Sequence, residues 1–418
     1  MDPRQRKRIT VIGIIIGVLL ACVVVAVAFV RQEPARSGPD SKLAGVREPR
    51  DAKAPRAVTG TRTRPKPQRC AYTYGGGPER TSDYSDVRLG RPASHLWNVR
   101  TRALIEFPPS TCDGVLYFNN AKGFTYAVRA ETGDIVWKRK TGTVFDSTPA
   151  ISKQRLVIGG VDGNITALDR SNGATLWKLR MDGPVESSPV VVNNERDVVA
   201  ASLDGRVLSI NLQQGTINWA YRTGGDIKGS PVVVNNTVYT ANYAGEIVAI
   251  GLADGRLKWR KAYRLDPIRT ERIYSSTPVA DGKVVFGTVG GYVYALDAAT
   301  GTERWKDRIG SYVYSTPAIA KGKVFVGDFA GRVHAYALNS GREQWTASMP
   351  GAISGSPVVI GDLVYVSTIK GSTSAFDVQN GRRIWTLPRG KYVPGIADNE
   401  RIYLSLNGML SAYSAARR

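Results

Sequence analysis

Two histidines and three cysteines in a chain of 418 residues set a narrow limit on chemistry. With only His95 and His334 present, a histidine-rich metal site is excluded and an acyl-transfer triad is not expected. Charge is what remains. Three carboxylates, Glu106, Asp146 and Glu186, stand three residues before Pro109, Pro149 and Pro189, and the same offset later holds Lys228, Ser275, Tyr314 and Ser354. Three carboxylates on one arc suit a hard cation such as Ca²⁺, or attract a basic peptide. The plainer alternative is a solvated rim with Lys228 as partial counter-charge. A second charged group, Arg264, Asp266, Pro267, Arg269, Glu271 and Arg272 in sequence order, surrounds a proline and is rich in arginine, the side chain best suited to bidentate pairing with carboxylates. Cys70 and Cys112 offer either a disulfide or two inert thiols.

The elements that must position these groups are repeats. All eight tryptophans, Trp97, Trp137, Trp177, Trp219, Trp259, Trp305, Trp345 and Trp385, stand 40 to 46 residues apart. A glycine lies four residues before each from Trp137 onward, and a proline lies twelve residues after six of them. Periods near 40 mark repeat architectures. Residues 151–177 show the content of one unit: a β-rich stretch, the hairpin signal Asp162-Gly163, an alternating stretch, then Asn172-Gly173 and a last strand ending at Trp177. Four short strands without helical period cannot bury both faces of their sheet alone, so neighbours must stack in a ring. The prediction is an all-β, eight-bladed β-propeller of four-stranded antiparallel blades. Seven units end at Trp137 through Trp385, and the last blade borrows its outer strand, residues 95–99 with Trp97, from the N-terminal side, which closes the ring. The tryptophans are expected to wedge between blades rather than to stack on a ligand.

The stretch from Ala295 to Trp305, reading A-L-D-A-A-T-G-T-E-R-W, resembles the tryptophan-docking motif A-x-D-x-x-T-G-x-x-x-W of pyrroloquinoline quinone (PQQ) repeat propellers. The stretches ending at Trp177 and Trp385 depart from it only at the threonine, and Gly76-Gly-Pro-Glu-Arg-Thr81 is a further likeness. This resemblance covers roughly residues 72–413 and implies the fold, not an activity, because the family holds both quinoprotein dehydrogenases and non-catalytic, BamB-like scaffolds. The dehydrogenases carry an adjacent cysteine pair beside the cofactor, on a larger propeller. No adjacent cysteine pair occurs here and the inter-blade connections are short, so the scaffold is expected, with a PQQ-dependent oxidoreductase or ligand sensor as the alternative. No cofactor is expected; Ca²⁺ at the acidic arc is the alternative to a solvated rim.

Around the repeats the chain divides by composition. Residues 1–8 form a basic tail, and residues 9–30 are uncharged and about 33 Å long as a helix, the thickness of a bilayer core. A signal anchor is predicted there; the alternative is a lipoprotein signal ending at Cys22. Residues 31–69 are rich in Pro, Ala and Arg with almost no large apolar side chain, so a disordered basic linker is expected, ahead of the propeller at 70–418. The formal net charge is +22, and although more than half of it lies on the repeats, its densest part flanks the apolar run, which favours a membrane-flanking role over nucleic acid. A slight excess of cations before the run, together with the export habit implied by the resemblance, places the propeller outside the cytoplasm.

One interval breaks the period. From Trp259 to its proline, Pro278, there are 19 residues where six other units have 12. The insertion, 263–272, is the expected docking loop for a protein partner, with Arg264, Pro267, Arg269 and Arg272 as its contacts and an acidic surface as their complement. The propeller itself is expected to be monomeric.

Overall fold

The computed structural model describes residues 69–142, 144, 147–266, 270–392 and 394–417. The expectations for the basic tail, the 9–30 apolar run, the linker up to residue 68, Asp146, Pro267 and Arg269 therefore lie outside the described residues. Among the described residues no helix is long and apolar enough to cross a membrane.

Eight sheets are present, each built on four antiparallel strands. Blade 1 runs through Ser110–Cys112, Val115–Asn119, Phe124–Arg129 and Ile135–Lys140, and blades 2 to 7 repeat the pattern to Arg383–Leu387. Blade 8 combines Gly395–Ala397, Arg401–Ser405 and Met409–Arg417 with Leu89–Arg100 from the N-terminal side. In that last pair His95 lies opposite Tyr413, Trp97 opposite Ala412 and Val99 opposite Leu410. The borrowed strand is longer than the tryptophan period alone suggested: it begins at Leu89, and irregularities in register between Leu89 and Trp97 absorb the extra residues.

Middle strands such as Glu246–Gly251 are apolar on both faces beyond their first residue and buried, because each blade is sandwiched between two others. Outer strands such as Leu257–Ala262 are largely exposed and carry charge. The core is divided into clusters, most of them joining the facing sides of successive blades. One cluster holds Tyr365 of blade 7, Tyr403 of blade 8 and Phe118 of blade 1 together.

Each repeat tryptophan from Trp97 to Trp345 docks on the next blade. Trp219 Nε1 donates to the Leu252 carbonyl at 2.7 Å, and Trp97 of blade 8 donates to Ala130 of blade 1 at 3.1 Å. The glycine four residues before the next tryptophan lies under the indole. At Gly255, φ is +69° and an added Cβ would stand 2.8 Å from Trp219 Cδ2, so both backbone and space demand glycine. The sequence spacing of glycine and tryptophan is the footprint of this contact.

Candidate functional site

The bore of the propeller is the place where eight inner strands converge, and its walls are built first from hydroxyls. In five successive blades a serine or threonine one or two residues before the repeat proline accepts, through its side chain, from the backbone of the preceding blade. Thr148 N–H donates to Ser188 Oγ at 2.9 Å, Ser188 N–H to Ser230 Oγ at 2.9 Å, Ser230 N–H to Ser276 Oγ at 2.9 Å, Ser276 N–H to Thr316 Oγ1 at 3.0 Å and Thr316 N–H to Ser356 Oγ at 2.9 Å. This girdle satisfies buried amides that face no strand partner. Sequence reasoning followed the prolines and missed the hydroxyls beside them.

The inner strand of a blade also leaves backbone groups unpaired toward the axis, and here the chain's own leader takes them. Ala71 exchanges two backbone hydrogen bonds with Thr111 of blade 1, at 2.8 and 2.9 Å. Ile151 of blade 2 then donates to Tyr72, Val233 of blade 4 to Pro78, Val279 of blade 5 to Glu79, Ile319 of blade 6 to Thr81 and Val359 of blade 7 to Ser82, all at 2.8 to 3.1 Å. Asp83–Tyr84 continues as a parallel strand on Val358–Ile360. Gly75 makes the fold-back possible: its φ is +78° and an added Cβ would lie 2.7 Å from Arg80 Cα. The leader enters beside blade 1, where Cys70 is disulfide-bonded to Cys112.

Arg80 is the centre of this plug and is wholly buried. Its Nε donates to the Pro231 carbonyl at 2.6 Å, and its terminal nitrogens donate to Ser188 at 2.6 Å and Tyr74 at 2.9 Å. No carboxylate pairs with it among the described residues, so burial lowers its guanidinium pKa to about 9. It is still a cation at neutral pH, solvated by carbonyls in place of water. Tyr74, also buried, donates its hydroxyl to Ser356 Oγ at 2.5 Å, which ties the leader to blade 7.

The sequence-predicted site residues fall around the bore and on the rim. Lys228 Nζ donates to Glu186 Oε2 at 2.6 Å, so Glu186 already has a cationic partner; Glu106 is half-buried, and Asp146 is outside the described residues. Among the described residues the one cluster with the ligand types of a metal site is Cys70, Cys112 and Asp113, and its two sulfurs are bonded to each other. Among the described residues the plugged bore thus presents carbonyls, hydroxyls and the Arg80 guanidinium.

On the insertion, Arg264 and Arg272 are exposed, and Arg264 forms a β-bridge with Thr270. Tyr263 packs against Tyr294 with centroids 4.6 Å apart, while Glu271 is buried and accepts from Gly290 N–H at 2.9 Å. The base of the loop is therefore seated on blade 5, and Glu271 is structural rather than a contact residue. His95 stands in the borrowed strand against Tyr413, and His334 is buried with Nδ1 2.8 Å from Glu343 Oε1. Beside the insertion lies an aromatic arc that the sequence reading did not single out. Tyr243 and Tyr274 are 4.2 Å apart, Tyr274 and Tyr314 5.0 Å, and Tyr314 and Phe329 5.3 Å, with Tyr312 and Phe329 exposed.

Comparison with known proteins agrees with this architecture. The family model described as outer membrane protein assembly factor BamB matches residues 259–352 and 349–417. BamB of Burkholderia pseudomallei is 24% identical over 200 residues, covering 48% of this chain and 41% of the relative. BamB of Xanthomonas campestris pv. campestris is 28% identical over 235 residues, 52% of this chain and 56% of the relative. The chain thus spans about half the length of the curated relatives it matches. Among solved structures, BamB from Moraxella catarrhalis superposes with a TM-score of 0.66 at 18% identity, covering 77% of this chain and 99% of that one. The quinohemoprotein alcohol dehydrogenase of Comamonas testosteroni reaches a TM-score of 0.69 at 13% identity, over 84% and 81% of the two chains, a likeness of fold alone. Eight four-stranded sheets, indole docking from blade to blade and these matches together support a PQQ-repeat β-propeller similar to the BamB type.

Proposed function

We propose that this protein is a single-pass, membrane-anchored propeller outside the cytoplasm that acts as a non-enzymatic protein-binding scaffold in a cell-envelope complex. The observation that carries the reading is the leader: the bore is occupied by residues 71–84 of the chain itself, hydrogen-bonded to the inner strands of blades 1, 2, 4, 5, 6 and 7. Binding is thereby left to the rim, where loops on a rigid scaffold supply specificity. The shared blade 8 closes the ring, and the 9–30 segment holds it at the membrane.

The partner docks on the rim that carries the 263–272 insertion. Exposed Arg264 and Arg272 supply charge for an acidic partner surface, and the neighbouring Tyr312 and Phe329 supply apolar area of the kind enriched at interface centres. BamB proteins, to which the chain is similar, are named as assembly factors of outer membrane proteins, which agrees with a partner that is itself an envelope protein.

The test is crosslinking in intact membranes followed by purification of the full chain, comparing wild type with a variant shortened between Tyr263 and Arg272 to the ordinary blade spacing. Partner recovery is expected to fall with the melting temperature held. Equal recovery would remove the insertion as the docking loop, and a stoichiometric PQQ complex with turnover of an alcohol or sugar would overturn the scaffold reading.

A further inference from the structure

In seven of the eight blades the residue after the outer strand donates its backbone N–H to the glycine carbonyl of the mid-blade turn. The pairs are Thr141 to Gly123, Met181 to Gly163, Thr223 to Gly205, Tyr263 to Gly245, Ile309 to Gly291, Met349 to Gly331 and Thr101 to Gly408, all at 2.7 to 3.0 Å. Blade 7 has Pro388 at that position, immediately after Arg383–Leu387, and proline has no N–H to give. The linker is tied elsewhere, by Thr373 Oγ1 donating to the Arg389 carbonyl at 2.9 Å. The turn at Gly371 consequently stands open. A Cβ added there would meet its nearest neighbour only at 3.7 Å, whereas at Gly163, Gly205, Gly245, Gly291, Gly331 and Gly408 the neighbour lies at 3.1 Å or less.

The gap is a notch of about 570 Å³ between blades 7 and 8. Its lining includes Arg100, Arg102, Lys370, Arg389 and Lys391 and no acidic residue. None of these five side chains has an ion-pair partner among the described residues, although elsewhere on the propeller cations such as Arg206, Arg304 and Arg332 sit on carboxylates. Five uncompensated cations gathered around one depression repel one another, and an anion relieves that repulsion. Buried Leu406 and half-buried Met409 line the same notch, adding apolar surface beneath the charge.

We propose that this notch binds a phosphate group, either free or as the headgroup of an anionic lipid. Arginine forks suit phosphate oxygens in pairs, lysines add point charge, and the volume admits a phosphate with its substituent. Among the described residues, blade 7 is the one blade in which a proline directly follows the outer strand, and the site lies at that break.

The experiment is calorimetric titration, at fixed ionic strength, of the full chain purified in a neutral detergent. Probes are inorganic phosphate, dihexanoyl phosphatidylglycerol below its micellar concentration, dihexanoyl phosphatidylcholine as the zwitterionic control, and a polyglutamate peptide. Wild type is expected to bind phosphate or phosphatidylglycerol, and whichever binds more tightly identifies the source. Arg100→Gln with Arg389→Gln should weaken binding at least tenfold, and so should Pro388→Ala, which restores an N–H for Gly371 without changing charge. Lys178→Gln with Arg256→Gln, removing equal charge from blades 2 and 4, should leave binding within twofold. Binding retained by either notch variant, equal loss in the remote pair, or notch-dependent binding of polyglutamate without either phosphate probe overturns the proposal.

Discussion

Arg80 Nε donates to the carbonyl of Pro231 at 2.6 Å, joining the leader to blade 4 across 151 residues of sequence. The contact makes the leader part of the ring, because the same guanidinium also reaches Ser188 of blade 3 and Tyr74 of the leader itself.

Arg80→Met should therefore unfold the protein more easily. The replacement fills part of the volume but leaves buried carbonyls without donors, at about 1–3 kcal/mol for each group. The check is a thermal or urea melt beside wild type, with limited proteolysis reporting release of residues 71–84. A melt unchanged within a degree would mean that those carbonyls find water instead.

Reducing the Cys70–Cys112 bond, or replacing Cys112 by serine, should lower stability without disrupting the blades. The loop spans 42 residues, and cross-linking it contributes up to about 4 kcal/mol in the chain-entropy model. Thiol labelling of the non-reduced, denatured protein gives the direct readout of the bond, and melts with and without reductant give its energetic effect.

Gly255→Ala is expected to destabilise the interface of blades 3 and 4 by about 1–3 kcal/mol. The methyl group would press on Trp219, and alanine is strained at φ +69°. Trp219 fluorescence in the variant should shift toward that of a more exposed indole. By contrast Gly282→Ala, where an added Cβ meets nothing within 4 Å, should show only the backbone effect.

Acid should separate wild type from Asp297→Asn. Hydrogen bonds from Arg304, then from Thr300, hold the Asp297 carboxyl at about 2 against an ordinary 3.8. A carboxyl depressed on folding contributes stability that is complete above about pH 4 and is lost as pH falls through about 2. The stability difference between the two proteins is thus expected to be constant from pH 7 to pH 5 and to shrink toward pH 2. A difference that grew on acidification would contradict the assigned hydrogen bonds.

Millimolar Ca²⁺ is expected to leave the melting temperature unchanged, because Lys228 already stands 2.6 Å from Glu186. A cation at a hundred times its dissociation constant would add about 2.7 kcal/mol, well within reach of a thermal shift. A rise abolished by Glu106→Gln with Glu186→Gln would instead establish the acidic arc as a cation site.

The sequence by itself determined the repeat. Indole docking needs a tryptophan on one blade and a glycine on the next, so the contact between Trp219 and Gly255 leaves a fixed spacing in the chain, and counting those spacings counts blades. The borrowed strand was legible for the same reason, since Trp97 is the one repeat tryptophan without a preceding glycine at the usual offset. Local pattern carries information that packing then repeats in seven docking contacts among the described residues.

Only the tertiary structure decided what fills the bore and where the surface departs from the repeat. The leader is held mainly through backbone N–H and C=O groups, which every residue possesses, so Pro78 accepting from Val233 leaves no side-chain signature. Tyr74 meets Ser356 at a separation of 282 residues, a distance at which no local period operates. Pro388 was visible in the chain, but its consequence is a hydrogen bond that Gly371 does not receive, and a missing bond can be recognised only beside the seven that form. Side-chain type is written along the sequence; which backbone groups stay unpaired, and which charges converge on the resulting gap, is settled by closure of the fold.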